Sequence, residues 1–225
     1  MDEQTIRELA KRLNTFPENI VREEYEMIFL KTLLESSWGK SMVFKGGTAL
    51  RLAYHSLRFS EDLDFALINK INWSKLKKIL QETAGSLPAV KIKELTEKYY
   101  TYFSLFSIRE TYLHQPFLLK IEISKRVVKW KKEKDFQLKH LSSLVTSLKT
   151  SGYVVTLKRA LLDKKKAFKD RVKSRDLFDL WWFAQHFEQK PILANGRFDK
   201  KQISAELKRF LPRGNWLVIE ELFKK

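Results

Sequence analysis

The chain of 225 residues contains no cysteine, so disulfides and thiolate zinc sites are excluded. That absence agrees with a reducing compartment. Its four histidines, His55, His114, His140 and His186, are scattered without metal-ligand spacing, and none is read as catalytic. No apolar run approaches the roughly 18 residues that a membrane span requires. The start, MDEQTIRELAKRL, is charged rather than an apolar signal segment. A soluble, cytoplasmic protein without a membrane partner is expected. There is no internal repeat and no low-complexity linker.

Positive charge, by contrast, is plentiful. Lysine and arginine number 44 against 27 acids, giving a net charge of +17 and a pI near 9.9. At this size the excess points to a polyanionic partner, most simply nucleic acid. A basic surface that serves solubility alone is the plainer alternative. An acidic membrane is disfavoured, because no segment pairs a basic face with a lipid-facing stripe. Hydrophobic residues make up 44%, enough for a real core in one large domain or two small ones.

Periodicity gives a helical N-terminal third, a mixed α/β middle and a helical end. PENIVREEYEMIFLKTLLESS carries apolar residues at three- and four-residue steps, with Pro17 in a first helical turn. SMVF, Ser41 to Phe44, is a short strand, and Lys45-Gly46-Gly47 a sharp turn. TALRLAYHSL is a helix and DLDFALI a second strand. NWSKLKKILQETAGSL is an amphipathic helix, capped by Asn72 or Ser74 and ending before Gly85. β-rich pieces follow in residues 89–109, then a strand from Phe117 to Ile123. VVKWKKEKDFQLKH is a basic, exposed loop or hairpin. From Thr156 the pattern is helical, with a break at Pro191, Asn195 and Gly196 and a last helix near KKQISAELKRFL. The expected division is a 1–150 domain and a helical 151–225 domain, with the boundary near Ser151-Gly152.

The chemistry concentrates in FKGGTALRLAYHSLRFSEDLDFAL, Phe44 to Leu67. Asp62 and Asp64 alternate on a strand, so both point to one face while Leu63 and Phe65 point to the other. Two acids on one face repel unless a cation lies between them. Magnesium, a hard ion that takes carboxylates plus substrate phosphates, fits that need. A solvated strand face is the plainer reading. Upstream, Gly46 and Gly47 lie between a strand and the helix that starts near Thr48, where free N–H groups suit phosphate. Glu122, inside LLKIEIS, is costly in an apolar strand unless it is paired or metal-bound. Its partner is either Lys120 or Lys125, or it completes a triad with Asp62 and Asp64. Three carboxylates and two metal ions form a clamp for phosphoryl or nucleotidyl transfer.

KGGTALRLAYHSLRFSEDLDF and the later DKKKAFKDRVKSRDLFDLWWF resemble the AbiEii/AbiGii nucleotidyltransferase toxins, over roughly Val43 to Phe183. Such proteins occur in toxin–antitoxin and phage-defence systems. The resemblance implies an α+β, polymerase-β-like nucleotidyltransferase fold, a mixed sheet flanked by helices with a C-terminal helical region. It implies NTP as substrate, a two-metal Mg2+ site and a cognate antitoxin. Gly46, Gly47 and Thr48 match the family's phosphate loop. Asp62 and Asp64 match its Asp-x-Asp, and Glu122 its third carboxylate. Lys164 matches the lysine of the helical motif, although Asp163 stands where the family often has Glu. Arg171, Arg175, Asp176 and Asp179 match its Arg and RDxxD part, which implies nucleotide binding for Arg171, Arg175 and Asp179.

On a helix from Leu157 to Val172, Lys164 and Arg171 fall on the apolar stripe of Leu157, Ala160, Leu161, Ala167, Phe168 and Val172. They reach either into a cleft, Lys164 towards the triphosphate and Arg171 towards phosphate or an acid, or out along the core edge. Lys158, Lys165, Lys166, Lys169 and Lys173 read as solvated charge or an RNA-tracking surface. Ser174 is expected to cap a new helix, and Asp176 and Asp179 serve either as cap and ion-pair partners or in catalysis. The expected activity is Mg-dependent transfer of NMP from an NTP. The basic charge favours RNA as acceptor, and the resemblance favours tRNA. A protein hydroxyl, for instance on the antitoxin, and a non-enzymatic nucleic-acid-binding module are the alternatives.

Overall fold

The computed structural model describes residues 1–170, 173–194 and 199–224. Arg171 and Val172 lie outside them, as do Asn195 and Gly196. Two helices open the chain, α1 (Glu3–Arg12) and α2 (Pro17–Glu35). Asp2 caps α1 by accepting the Thr5 N–H at 2.9 Å, and Pro17 starts α2 where its missing N–H costs nothing. α2 is buried on most sides, since Ile20, Val21, Met27, Phe29, Leu30 and Leu33 are all sealed from solvent. Phe29 stacks tilted on Phe106 of the sheet, with ring centroids 4.5 Å apart.

Then come β1 (Met42–Lys45), α3 (Gly46–Tyr54), β2 (Asp62–Leu67), α4 (Trp73–Gly85), β3 (Val90–Glu97) and β4 (Thr101–Ile108). They are followed by β5 (Phe117–Val127), β6 (Phe136–Ser142) and β7 (Lys149–Val155). The strands form one mixed sheet in the order β3-β4-β5-β2-β1-β7-β6. β2 runs parallel to β5 and β1 parallel to β7, and the other pairs are antiparallel. Asn72 caps α4, accepting the Lys75 N–H at 3.0 Å, while Gly85 is the last residue of that helix rather than the first beyond it.

Helices α5 (Leu157–Asp170), α6 (Ser174–His186), α7 (Lys200–Phe210) and α8 (Leu217–Glu221) complete the α+β fold. The boundary drawn at Ser151-Gly152 falls inside β7, which is hydrogen-bonded along β6, so the helical part begins at Leu157. It has a small core of its own around Leu177, Phe178, Ile203 and Leu207. A second cluster, Val43, Leu50, Val155, Ala160 and Phe183, fastens it to the sheet. Ser174 does not cap α6. Lys173 holds the cap position, and the serine hydroxyl instead donates to Glu206 of α7. No helix among the described residues is long and apolar enough to cross a membrane.

Candidate active site

Strand alternation builds the acidic part of the cleft. Along β5, Phe117, Leu119, Ile121 and Ile123 are buried, which turns Lys120, Glu122 and Ser124 to the other face. The parallel register sets Asp62 opposite Lys120 and Asp64 opposite Glu122. Asp62, Asp64 and Glu122 therefore share one sheet face on adjacent strands, although Asp64 and Glu122 lie 58 positions apart in the chain. Lys120 takes the cationic place between two of them, with Nζ 3.4 Å from Asp62 and 3.0 Å from Glu122. Lys125, the other partner considered for Glu122, is paired with Glu97 at 2.7 Å.

Burial pushes the Asp64 carboxyl up, and the like charges of Asp62 and Glu122 add to it, against the pull of Lys45 and Lys120. Burial alone would lower Lys120, but the hydrogen bond to Glu122 and the charge of Asp62 more than offset it, so its ammonium is held above the usual lysine value. Among the described residues no three acidic or imidazole side chains already stand gathered around one point as metal ligands. The donor set nonetheless fits a divalent ion: three hard oxygen donors on one face, with more negative charge than Lys120 can balance.

The glycine turn presses on these acids. Gly46 starts α3 directly after β1, at φ +87, a left-handed conformation that side chains resist. A Cβ on Gly46 would overlap Oδ2 of Asp64. At Gly47 a Cβ would come within 2.5 Å of Arg58 Nη2 and 2.7 Å of Ser60 Oγ. Both glycines thus let the start of a helix lie against the carboxylates. Thr48 is fully buried, and its hydroxyl donates to the Asp62 carbonyl at 2.6 Å. Its side chain ties α3 to β2, leaving only its backbone N–H for a phosphate.

Opposite stands a second group of charges, carried by helices. Lys164, on the inward stripe of α5, has its Nζ 2.7 Å from Asp176 and 2.6 Å from Asp179, both on α6. Asp179 is also gripped in a two-pronged pair by Arg58, at 3.1 Å from Nε and 3.0 Å from Nη2. Burial would raise the Asp179 carboxyl, but Arg58 and Lys164 outweigh it and hold it below the usual range. Arg175 reaches Glu61 at 3.0 Å and Glu206 at 3.4 Å. Lys158, Lys165, Lys166 and Lys169 are exposed, and Lys173, also exposed, borders the cleft. Arg58 was not among the expected site residues. Its signal in the sequence was a charge wedged between Leu57 and Phe59, and its partner lies 121 positions away.

Two adjoining hollows share Gly47, Asp64 and Lys164. One is polar and lined by Asp62, Glu122, Lys120, Arg58 and Arg175. The other has an apolar wall of Leu50, Val155, Ala160 and Ala167 beside Lys45 and Gly46. The sheet acids, the glycine turn and Lys164 are thus brought to one cleft; Arg171 lies outside the described residues.

Structural comparison gives the same architecture in two solved proteins. JHP933 from Helicobacter pylori shares 26% identity, over 86% of this chain and 74% of that one, with a TM-score of 0.56. MenT4, a nucleotidyltransferase toxin from Mycobacterium tuberculosis H37Rv, shares 18% identity over 88% of this chain and 67% of that one, with a TM-score of 0.58. No curated protein matches in sequence. Residues 28–214 match the family described as nucleotidyl transferase AbiEii toxin, type IV TA system. With most of its length inside that match, the chain belongs to the AbiEii nucleotidyltransferase toxins of type IV toxin–antitoxin systems.

Proposed function

We propose that the chain transfers a nucleoside monophosphate from an NTP to an RNA hydroxyl, with tRNA as the first acceptor to test. The observation that carries this reading is the register that aligns Asp62 and Asp64 with Glu122 beside the Gly46 turn. The acceptor oxygen attacks the α-phosphorus. The bond from that phosphorus to the bridging oxygen breaks, and pyrophosphate leaves.

Asp62, Asp64 and Glu122 would hold magnesium, which when bound polarises the phosphoryl oxygens and offsets their charge. The N–H groups at the start of α3 grip the β- and γ-phosphates. Two of the three donors on Lys164 are taken by Asp176 and Asp179, and the third is directed to the leaving pyrophosphate. Arg58 acts at one remove, by fixing Asp179 and through it Lys164. Arg175, tied to Glu61 and Glu206, positions the wall of the cleft. Glu122 also helps to draw the proton from the acceptor. Catalysis of this kind is mostly orientation and electrostatics.

The net charge of +17 supports RNA as the acceptor, and binding then weakens steeply as salt rises. A cognate antitoxin is the expected protein partner. The test is incubation of the protein with total RNA and each labelled NTP in turn, with Asp62→Ala as control. Label on one RNA species, lost in the variant and on removal of divalent ions, is the expected result. Label on protein alone transfers the reading to a protein hydroxyl. Absence of both labelling and magnesium-dependent NTP binding overturns the enzymatic mechanism.

A further inference from the structure

The three sheet acids carry among them a cation that belongs to the chain itself. Lys120 opposes Asp62 across the β2–β5 pair and precedes Glu122 by two residues. Strand alternation therefore puts its ammonium on the acids' own face, whatever rotamer it adopts. On its other side, across the β4–β5 pair, stands Leu105, which offers no competing charge. The nearby acids of the sheet edge are matched elsewhere, Glu97 to Lys125 and Glu94 to Lys98. The side chain is 31% exposed, so its contacts with Asp62 and Glu122 are only partly screened.

We propose that Lys120 is a tethered competitor for divalent metal. It pairs with Asp62 and Glu122 in the free protein, and it yields them when a nucleotide supplies its ammonium with phosphate oxygens. Metal and nucleotide then bind together rather than in succession. This rests on the reading of Asp62, Asp64 and Glu122 as metal ligands. A divalent ion that enters alone has to part an ammonium from two carboxylates. One that enters with a triphosphate brings the ammonium a substitute anion in the same step. Lys120 on this account sets the order of binding and is a positioning residue.

The test is direct titration with Mn2+, with free ion counted by electron paramagnetic resonance, on the wild type, Lys120→Met, Lys120→Gln and Asp62→Asn. Without nucleotide, both Lys120 variants are expected to bind Mn2+ about tenfold or more tighter than the wild type, since a close, partly screened charge is removed. With a non-hydrolysable NTP analogue the gap largely closes. Should Lys120→Met fail to fold, Lys120→Gln, which keeps a polar side chain of similar reach, decides. Equal or weaker Mn2+ binding in folded Lys120 variants overturns the proposal, as does a gap that the analogue leaves unchanged. If Asp62→Asn loses Mn2+ while the Lys120 variants match the wild type, only the competitor role fails. If Asp62→Asn binds as the wild type does, the metal-ligand reading fails and this inference with it.

Discussion

Two charged clusters face each other across the cleft, and they balance their charge differently. The sheet cluster of Asp62, Asp64 and Glu122 is partly open to solvent and keeps more negative charge than Lys120 cancels. The helix cluster of Arg58, Asp179, Lys164 and Asp176 is mostly buried, with Arg58 3% and Asp179 1% exposed, and among the described residues its two cations meet two acids. An unbalanced, accessible group has capacity left for a ligand. A balanced, buried group has spent its charges on internal geometry. The first is therefore expected to govern chemistry, and the second to govern both fold and the placement of Lys164.

The sharpest break between the two lies in activity against stability. Asp64→Asn is expected to cut nucleotide transfer by more than about a hundredfold, since loss of even an outer partner of a metal ligand costs up to that much. Its thermal stability should hold or rise at neutral pH, because the substitution removes a carboxylate that burial and like charges disfavour. Activity is read with labelled NTP, and stability by thermal melting. An Asp64→Asn protein that melts as low as a helix-cluster variant erases the distinction.

Asp179→Ala is the reciprocal case. It leaves Arg58 buried without its anion and removes one of the two partners of Lys164 among the described residues. The expected loss is about 3–5 kcal/mol of stability, as for other broken buried pairs. Urea unfolding measures it. Transfer activity should fall as well, even under conditions where the variant stays folded. A variant that keeps full stability would show that the pair is not structural.

Gly46→Ala joins the two effects on a smaller scale. The left-handed conformation costs a side chain roughly 1–2 kcal/mol, and the added carbon collides with Asp64. A modest drop in melting temperature with a larger drop in transfer is expected. Gly85→Ala, at a position with open space around it, is the control and should change neither.

How much of this was legible follows from the range of each interaction. The shared face of Asp62 and Asp64 needs only the two-residue period of a strand. Glu122 announced itself as a carboxylate among Leu119, Ile121 and Ile123, and Lys164 as a charge on an apolar helix stripe. β6 was harder to separate from a loop, because Phe136 and Leu141 are buried but Leu138 between them is 63% exposed, which blurs the alternation. The hydroxyl of Ser174 at a helix start has the local meaning of a cap, whereas its actual partner, Glu206, is distant in the chain. The wedged charge of Arg58 marks a buried cation but not its partner, for the same reason. Pairing between remote residues leaves no periodic trace. The parallel β2–β5 register that aligns Asp64 with Glu122 is such a pairing, and no local pattern encodes it.

The smallest expected effect concerns an acid outside both clusters. Glu26 of α2 is buried, and its Oε1 has no hydrogen-bond partner among the described residues. Burial, first, and the charge of Glu23 push its carboxyl well above the usual 4.5, against the opposing pull of Arg22 and Arg51. Below pH 4.5 the folded and unfolded chains both carry the proton, and Glu26 imposes no penalty. As pH rises past that value the unfolded chain ionises first, so the folded state loses stability until its own carboxyl titrates. Glu26→Gln cannot ionise and escapes this loss. Whatever constant offset the amide introduces, the stability of Glu26→Gln relative to the wild type should climb as pH increases above 4.5 and then level off. Urea unfolding of both proteins from pH 4 to pH 8 reads the slope, and a difference that stays flat across that interval would mean that Glu26 is ionised in the fold, held by the charges of Arg22 and Arg51.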